Sequence, residues 1–174
     1  MLVPEDDIYL RVYPDPILAK KSQAIEDPCD ENILPSAERM LDIMYDHDGI
    51  GLAGPQAGIP FRVIVYDLSE GRDQPQVLIN PEIVEFSKNK CSEEEGCLSF
   101  PEVRSSVERS AQVVVKGFEP NGDEIQIEAD ELMAAMFQHE IDHLDGISFV
   151  DRLGTTGKMR IRKALKDLET DNPL

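Results

Sequence analysis

The stretch QHEIDHLDG, residues 138–146, reads as the end of a helix that runs from Asp130 as N-cap to a stop at Gly146. Two histidines four residues apart, His139 and His143, share one face of such a helix and can grip a single metal ion. Glu140, beside the first, is placed to handle a proton of a water that the ion acidifies. A solvated helix whose Glu, Asp and His face water carries the same letters, so the pattern needs support from elsewhere in the chain.

Outward from this helix, four segments read as strands. RVIVYDL (62–68), VLINPEIVEF (77–86) and AQVVVKGF (111–118) are rich in β-branched residues and punctuated by Gly, Pro and Asn, while EIQIEA (124–129) alternates apolar with polar. The Asn121-Gly122 pair predicts a hairpin between the last two. Residues 35–46 place Ala37, Met40, Leu41 and Met44 at helical spacing, with Gly49 as the stop, and a third helix is expected over 156–169. Strands clustered between helices, without βαβ alternation, predict an α+β fold: small, mainly antiparallel sheets packed around a central helix that carries the HExxH motif. No repeat or long linker divides the 174 residues, so residues 1–174 are expected to form a single catalytic domain.

Composition removes several classes of function. Thirty-five acidic residues against 17 basic ones leave a net charge of −18, which repels phosphate backbones and anionic membrane surfaces, so general nucleic-acid binding is excluded. The local exception is GKMRIRKALKDLE (157–169), where Lys158, Arg160, Arg162, Lys163 and Lys166 form either a solvated helix or a docking patch for an anionic partner such as ribosomal RNA. No apolar run approaches the roughly 20 residues that span a bilayer, so no membrane association is expected. The start, MLVPEDDIYL, lacks the features of a signal or transit peptide, which predicts a cytoplasmic location, or a plastid or mitochondrial one if a presequence has been removed. Three cysteines, an odd number, argue against a disulfide framework.

A catalytic site of the zinc type needs three protein ligands and one open position. Cys97, in EGCLSFP (95–101) between Gly96 and a Ser-Phe-Pro turn, is the candidate third ligand; Cys29 and Cys91 have no comparable setting, and His47 reads as a surface residue at a helix end. GIGLAGPQAG (49–58) contains GxGxxG at Gly49, Gly51 and Gly54, yet it follows a helix and precedes a strand, the reverse of a dinucleotide-binding loop. Its glycines instead let the backbone approach an extended ligand, with Gln56 supplying an amide donor. Leu132, Ala135 and Met136, seven, four and three residues before His139, share its helix face, and with Ile50 they form a candidate apolar pocket.

GIGLAGPQ, EGCLS and QHEIDH, in this order, resemble the three signature segments of peptide deformylases, and YPDPIL (13–18) resembles the N-terminal segment of that family. The resemblance spans about residues 9 to 165, with one departure: Gly54 stands where the family usually has alanine. It implies a metal-dependent hydrolase that removes the N-formyl group from formylmethionine on nascent polypeptides and releases formate. One divalent ion, Fe(II) in the cell with Zn, Ni or Co as alternatives, would be held by Cys97, His139 and His143. Glu140 would be general base and then acid, Gln56 and the Leu98 N–H the oxyanion donors, Gly51 and Gly96 the substrate-backbone contacts, and Arg104 a support to the site. The methionine pocket would be the one formed by Ile50, Leu132, Ala135 and Met136. Two other readings stay open on the residues alone: an HExxH metallopeptidase, and a noncatalytic module with a structural metal.

Overall fold

VIVY, at Val63–Tyr66, is apolar throughout and buried at every residue, which requires a sheet covered on both faces. The computed structural model describes residues 1–173 and supplies both covers. In chain order the strands are β1 (Gly51–Ala53), β2 (Val63–Tyr66), β3 (Gln76–Phe86), β4 (Lys90–Cys97), β5 (Phe100–Ser110), β6 (Gln112–Phe118) and β7 (Glu124–Asp130). The helices are α1 (Ile33–Asp46), α2 (Glu131–Leu144) and α3 (Thr155–Asp171). One sheet has the order β1-β2-β3-β6-β7 and is antiparallel at every pairing; β4 and β5 form a separate antiparallel ribbon.

The period-two alternation of β2 divides the core. Val63 and Val65 pack with Ala37, Met40, Ile43 and Met44 of α1. Ile64 and Tyr66 face α2 and pack with Ala134, Phe137, Ile141 and Leu144. Phe137 is fully buried and meets Tyr66 edge-on, 5.1 Å between ring centroids; truncating such a side chain to alanine costs about 3–5 kcal/mol. The helix that carries the histidines is therefore locked to the sheet by its apolar face. Its opposite side is left to the ribbon, whose Phe100, Val103 and Val107 pack with Phe149, Leu153 and Ile161 of the C-terminal segment.

Several expectations change in detail. The β6–β7 hairpin forms, but through the five residues 119–123: Gly122, at φ 88°, donates its N–H to Glu119 O, and Glu119 N–H donates to Asp123 O. Asp130 stands at the N-cap of α2 without a side-chain capping bond. It still pairs with Gln112 as the last residue of β7, and Glu131, at φ 45°, turns the chain straight into the helix. Gly146 stops α2 as expected, at φ 73° with its N–H on His143 O. The Ser-Phe-Pro turn does not exist as such. Leu98 and Ser99 make the turn between β4 and β5, while Phe100 and Pro101 already belong to β5. The register jumps from Gly96↔Arg104 to Cys97↔Phe100, so residues 101–103 bulge out, and Pro101 sits where no ladder N–H is required.

Candidate metal centre and active site

Helical spacing puts His139 and His143 on one side of α2, and the turn after β4 brings Cys97 to them. The His143 Nε2 lies 3.2 Å from His139 Nε2 and 3.2 Å from Cys97 Sγ, and the three ligand atoms all lie within 4.8 Å of one another. Two nitrogens each about 2.1 Å from one tetrahedral ion stand roughly 3.4 Å apart, so this donor set fits a single small divalent metal. Two imidazoles and one thiolate leave a fourth position without a protein donor, and among the described residues no fourth His, Cys, Asp or Glu joins the group. The cysteines are all free.

The orientation of the first histidine is fixed from behind. His139 Nδ1 is 2.9 Å from Glu95 Oε2. A carboxylate only accepts, so Nδ1 carries the hydrogen and Nε2 turns its lone pair toward the other ligands. Glu95 also accepts from Arg109, at 2.6 Å from Nε and 3.0 Å from Nη2, and Arg109 Nη1 donates to Asp142 at 2.7 Å. Arg152 closes the far end with two donors on Asp142. Burial alone would raise the Glu95 carboxyl, but the hydrogen bonds from Arg109 and His139 hold it down to about 2. For His143, burial lowers the pKa, which favours the neutral, ligating form. The reading of the sequence missed this chain of Glu95, Arg109, Asp142 and Arg152. Its one visible trace is that Glu95 directly precedes Gly96-Cys97.

Glu140 faces the cleft from the same helix. It is 5 % exposed, and its Oε2 has no hydrogen-bond partner among the described residues. Burial pushes its carboxyl up to about 7. A base poised near neutrality is suited to proton transfer at ordinary pH.

Opposite Glu140 runs the open edge of β1. Asp67 N–H donates to Ile50 O, which makes Ile50 and Asp67 a hydrogen-bonded pair, and Gly51 stands opposite Tyr66 one step further on. In an antiparallel ladder that neighbour is the non-hydrogen-bonded pair, so the N–H and C=O of Gly51 point away from β2, toward the cleft. Ala53 has the same parity, and its N–H donates to Gln56 Oε1 at 2.8 Å. This contact fixes the amide orientation, so that Gln56 Nε2 points at Cys97 Sγ, 3.4 Å away. Gly54 is not a point of looseness: a Cβ there would stand 2.5 Å from Phe61 O and 2.8 Å from Ile59 O, so glycine allows two carbonyls to close on the turn that carries Gln56.

These groups line one cleft of about 660 Å³. Ile50, Gly51, Gln56, Gly96, Cys97, Leu98, Leu132, Ala135, Met136, His139 and Glu140 all contribute to it. His143 lies behind the lining, buried. Arg104 stands exposed at the mouth opposite Gly96, and the arginine that reaches the histidine network is Arg109 instead. His47 is exposed at the C-cap of α1, far from the ligand set in role, although it too borders the cleft.

The sequence model of the family described as polypeptide deformylase matches residues 9–159. The chain belongs to the peptide deformylase family. The peptide deformylase of Thermotoga maritima is 41% identical over 159 residues, 91% of this chain and 94% of that one. The enzyme of Nitrosococcus oceani is 44% identical over 151 residues, 87% and 89% of the two chains. Among solved structures, a plant peptide deformylase superposes with a TM-score of 0.91 at 36% identity, covering 97% of this chain and 92% of its own. The Plasmodium falciparum enzyme gives 0.88 at 36% identity, with 94% and 96% covered. Peptide deformylases are metal-dependent hydrolases that remove the N-formyl group from nascent polypeptides, and the Cys97, His139 and His143 cluster is consistent with that dependence. Among the described residues no helix is long and apolar enough to cross a membrane.

Proposed function

We propose that this chain carries out the deformylase reaction on formylmethionyl peptides with Glu140 as its proton-transfer group and Cys97, His139 and His143 as the metal ligands, all within one catalytic domain. The observation that carries the proposal is the convergence of one cysteine sulfur and two imidazoles beside a buried carboxyl group with an unpartnered oxygen. The ion, when bound, supplies Lewis acidity that lowers the pKa of water toward neutrality. Glu140 takes the proton of the attacking water. Gln56 Nε2 and the Leu98 N–H donate to the formyl oxygen as negative charge develops on it, which is worth most in a site shielded from solvent. As the C–N bond breaks, Glu140 returns the proton to the nitrogen, so that a neutral amine and formic acid leave, and the acid then ionises to formate in solution.

Binding of the peptide follows from the two strand edges. Gly51 on β1 and Gly96 on β4 would exchange hydrogen bonds with the substrate main chain, as an added strand does at a sheet edge. The methionine side chain would enter the apolar wall formed by Ile50, Leu132, Ala135 and Met136, and Arg104 would support the mouth. Chemistry of the donor set admits Zn, Fe(II), Co or Ni, and we assign Fe(II) as the ion used in the cell. We place the reaction in the cytoplasm, with an organelle as the alternative compartment. The exposed cations Lys158, Arg162 and Lys166 of α3 line a shallow groove and form no ion pair among the described residues, which supports a docking contact with ribosomal RNA.

The deciding experiment incubates anaerobically prepared protein, loaded in turn with Fe(II), Ni, Co or Zn, with a formyl-Met tripeptide and its unformylated twin. Formate and a free amine should appear from the first peptide only, and the Fe(II) activity should decay in air. Cleavage of a peptide bond in either substrate would establish a peptidase instead.

A further inference from the structure

Residues 67–75, between β2 and β3, fold back onto the glycine segment. Arg72 Nη2 donates to Gly49 O at 2.5 Å, and Asp67 N–H donates to Ile50 O at 2.9 Å. The Arg72 guanidinium stands over the Tyr45 ring, 5.1 Å from its centroid, and the Tyr45 hydroxyl donates to Asp67 Oδ2 at 2.7 Å. Asp67 further accepts from the backbone N–H groups of Ser69 and Gln74, so the loop that presents Arg72 is tied down at both ends. Arg72 itself has φ 51°, a left-handed conformation that a long side chain seldom adopts. Backbone strain of this kind persists where surrounding contacts over-determine it, and it marks places where a side chain has to be delivered to a particular spot.

The spot is the back of the substrate cleft. A Cβ on Gly49 would lie 2.8 Å from Leu98 Cδ1, and one on Gly51 would lie 2.9 Å from Glu140 Oε1 and 3.1 Å from Met136 Cγ. The segment thus runs without spare room between Arg72 on one side and Leu98, Glu140 and Met136 on the other. We propose that Arg72 is a positioning residue: by gripping the Gly49 carbonyl, it holds the β1 edge at the distance from Leu98 and Glu140 that a peptide main chain requires, and so sets substrate affinity without touching substrate. This rests on the deformylase reading, in which Gly51 meets the substrate backbone.

The test compares R72A, R72G and R72K with wild type in steady-state formate release from a formyl-Met tripeptide, alongside metal content and thermal melting. Glycine accepts the left-handed backbone freely, so R72G removes the grip while relieving the loop. For R72A and R72G the KM should rise on the order of tenfold, the effect of one charge-assisted hydrogen bond, with kcat and metal content within about twofold of wild type. R72K, which keeps a donor, should recover part of the loss, and R72G should melt no lower than R72A. An unchanged KM in R72A and R72G overturns the proposal, and so does a parallel loss of kcat and metal, which would mark Arg72 as a general prop of the fold. Absence of formate from the wild-type protein would instead sink the deformylase reading, and is told apart by that control alone.

Discussion

Glutamine at position 95 keeps the shape of the side chain and removes its charge. Glu95 accepts from Arg109 Nε at 2.6 Å, from Arg109 Nη2 at 3.0 Å and from His139 Nδ1 at 2.9 Å, with its side chain 9% exposed. A glutamine offers one oxygen, so either Arg109 or His139 then faces an NH₂ group and loses its acceptor. Breaking a buried charge pair costs about 3–5 kcal/mol. Arg109 keeps Asp142, which sets the expectation for E95Q at the lower end, about 3 kcal/mol. In a chain of this length that is a fall in Tm of roughly 6–12 °C. With His139 no longer held from behind, metal affinity should drop about 10–100-fold. Melting of the metal-loaded protein and competition against a chromophoric chelator measure the two effects. A Tm and a metal affinity both equal to wild type would refute the coupling of Glu95 to the metal ligand. The pH dependence has a definite sign. The folded pKa of Glu95, about 2, lies below its ordinary 4.5, because the Arg109 and His139 hydrogen bonds outweigh burial. Its contribution is complete above pH 4.5 and is lost as pH falls toward about 2. The acid limb of a wild-type stability profile in that window should therefore be shallower in E95Q.

Glu140→Gln should retain metal yet lose about 10²–10⁴-fold in kcat; metal-replete variant turning over at near-normal rate removes Glu140 from the chemistry. Gln56→Leu removes a donor aimed beside the sulfur and should lower kcat about 10²–10³-fold with little change in KM, as steady-state formate release would show. Gly54→Ala, although it introduces the residue usual in the family, should destabilise by about 1–3 kcal/mol, because two carbonyls must move to admit the methyl group. A melting temperature at or above wild type would contradict that packing.

The sequence made the histidine pair and Glu140 legible because helical periodicity is local: His139, Glu140 and His143 need only an intact turn of α2 to stand together. Four of the five strands of the large sheet were equally legible, since VIVY and QVVVKGF bury apolar side chains in bulk, whereas β1 lay hidden in the glycine segment. The β4–β5 ribbon was not. In β4, KCSEEEGC, no residue is fully buried, and in β5 only Phe100, Val103, Val107, Arg109 and Ser110 are, so no apolar alternation announces either strand. Glu95 was hidden for the same reason. It is the third glutamate of an acidic run whose other two members are exposed, and only the pairing of the ribbon and its packing on α2 turn it inward to Arg109 and His139. Asp130 stands at the N-cap of α2 as its place in the sequence predicts, but without a side-chain capping bond, and its continued pairing in β7 is something no local pattern displays.

A cleft bordered by two unpaired strand edges offers its visitor partners for groups that every polypeptide possesses. On the proposed reading, recognition beyond the first side chain would depend on main-chain amides common to all proteins rather than on any consensus. One small catalyst built this way would suit a whole proteome of differing N-termini.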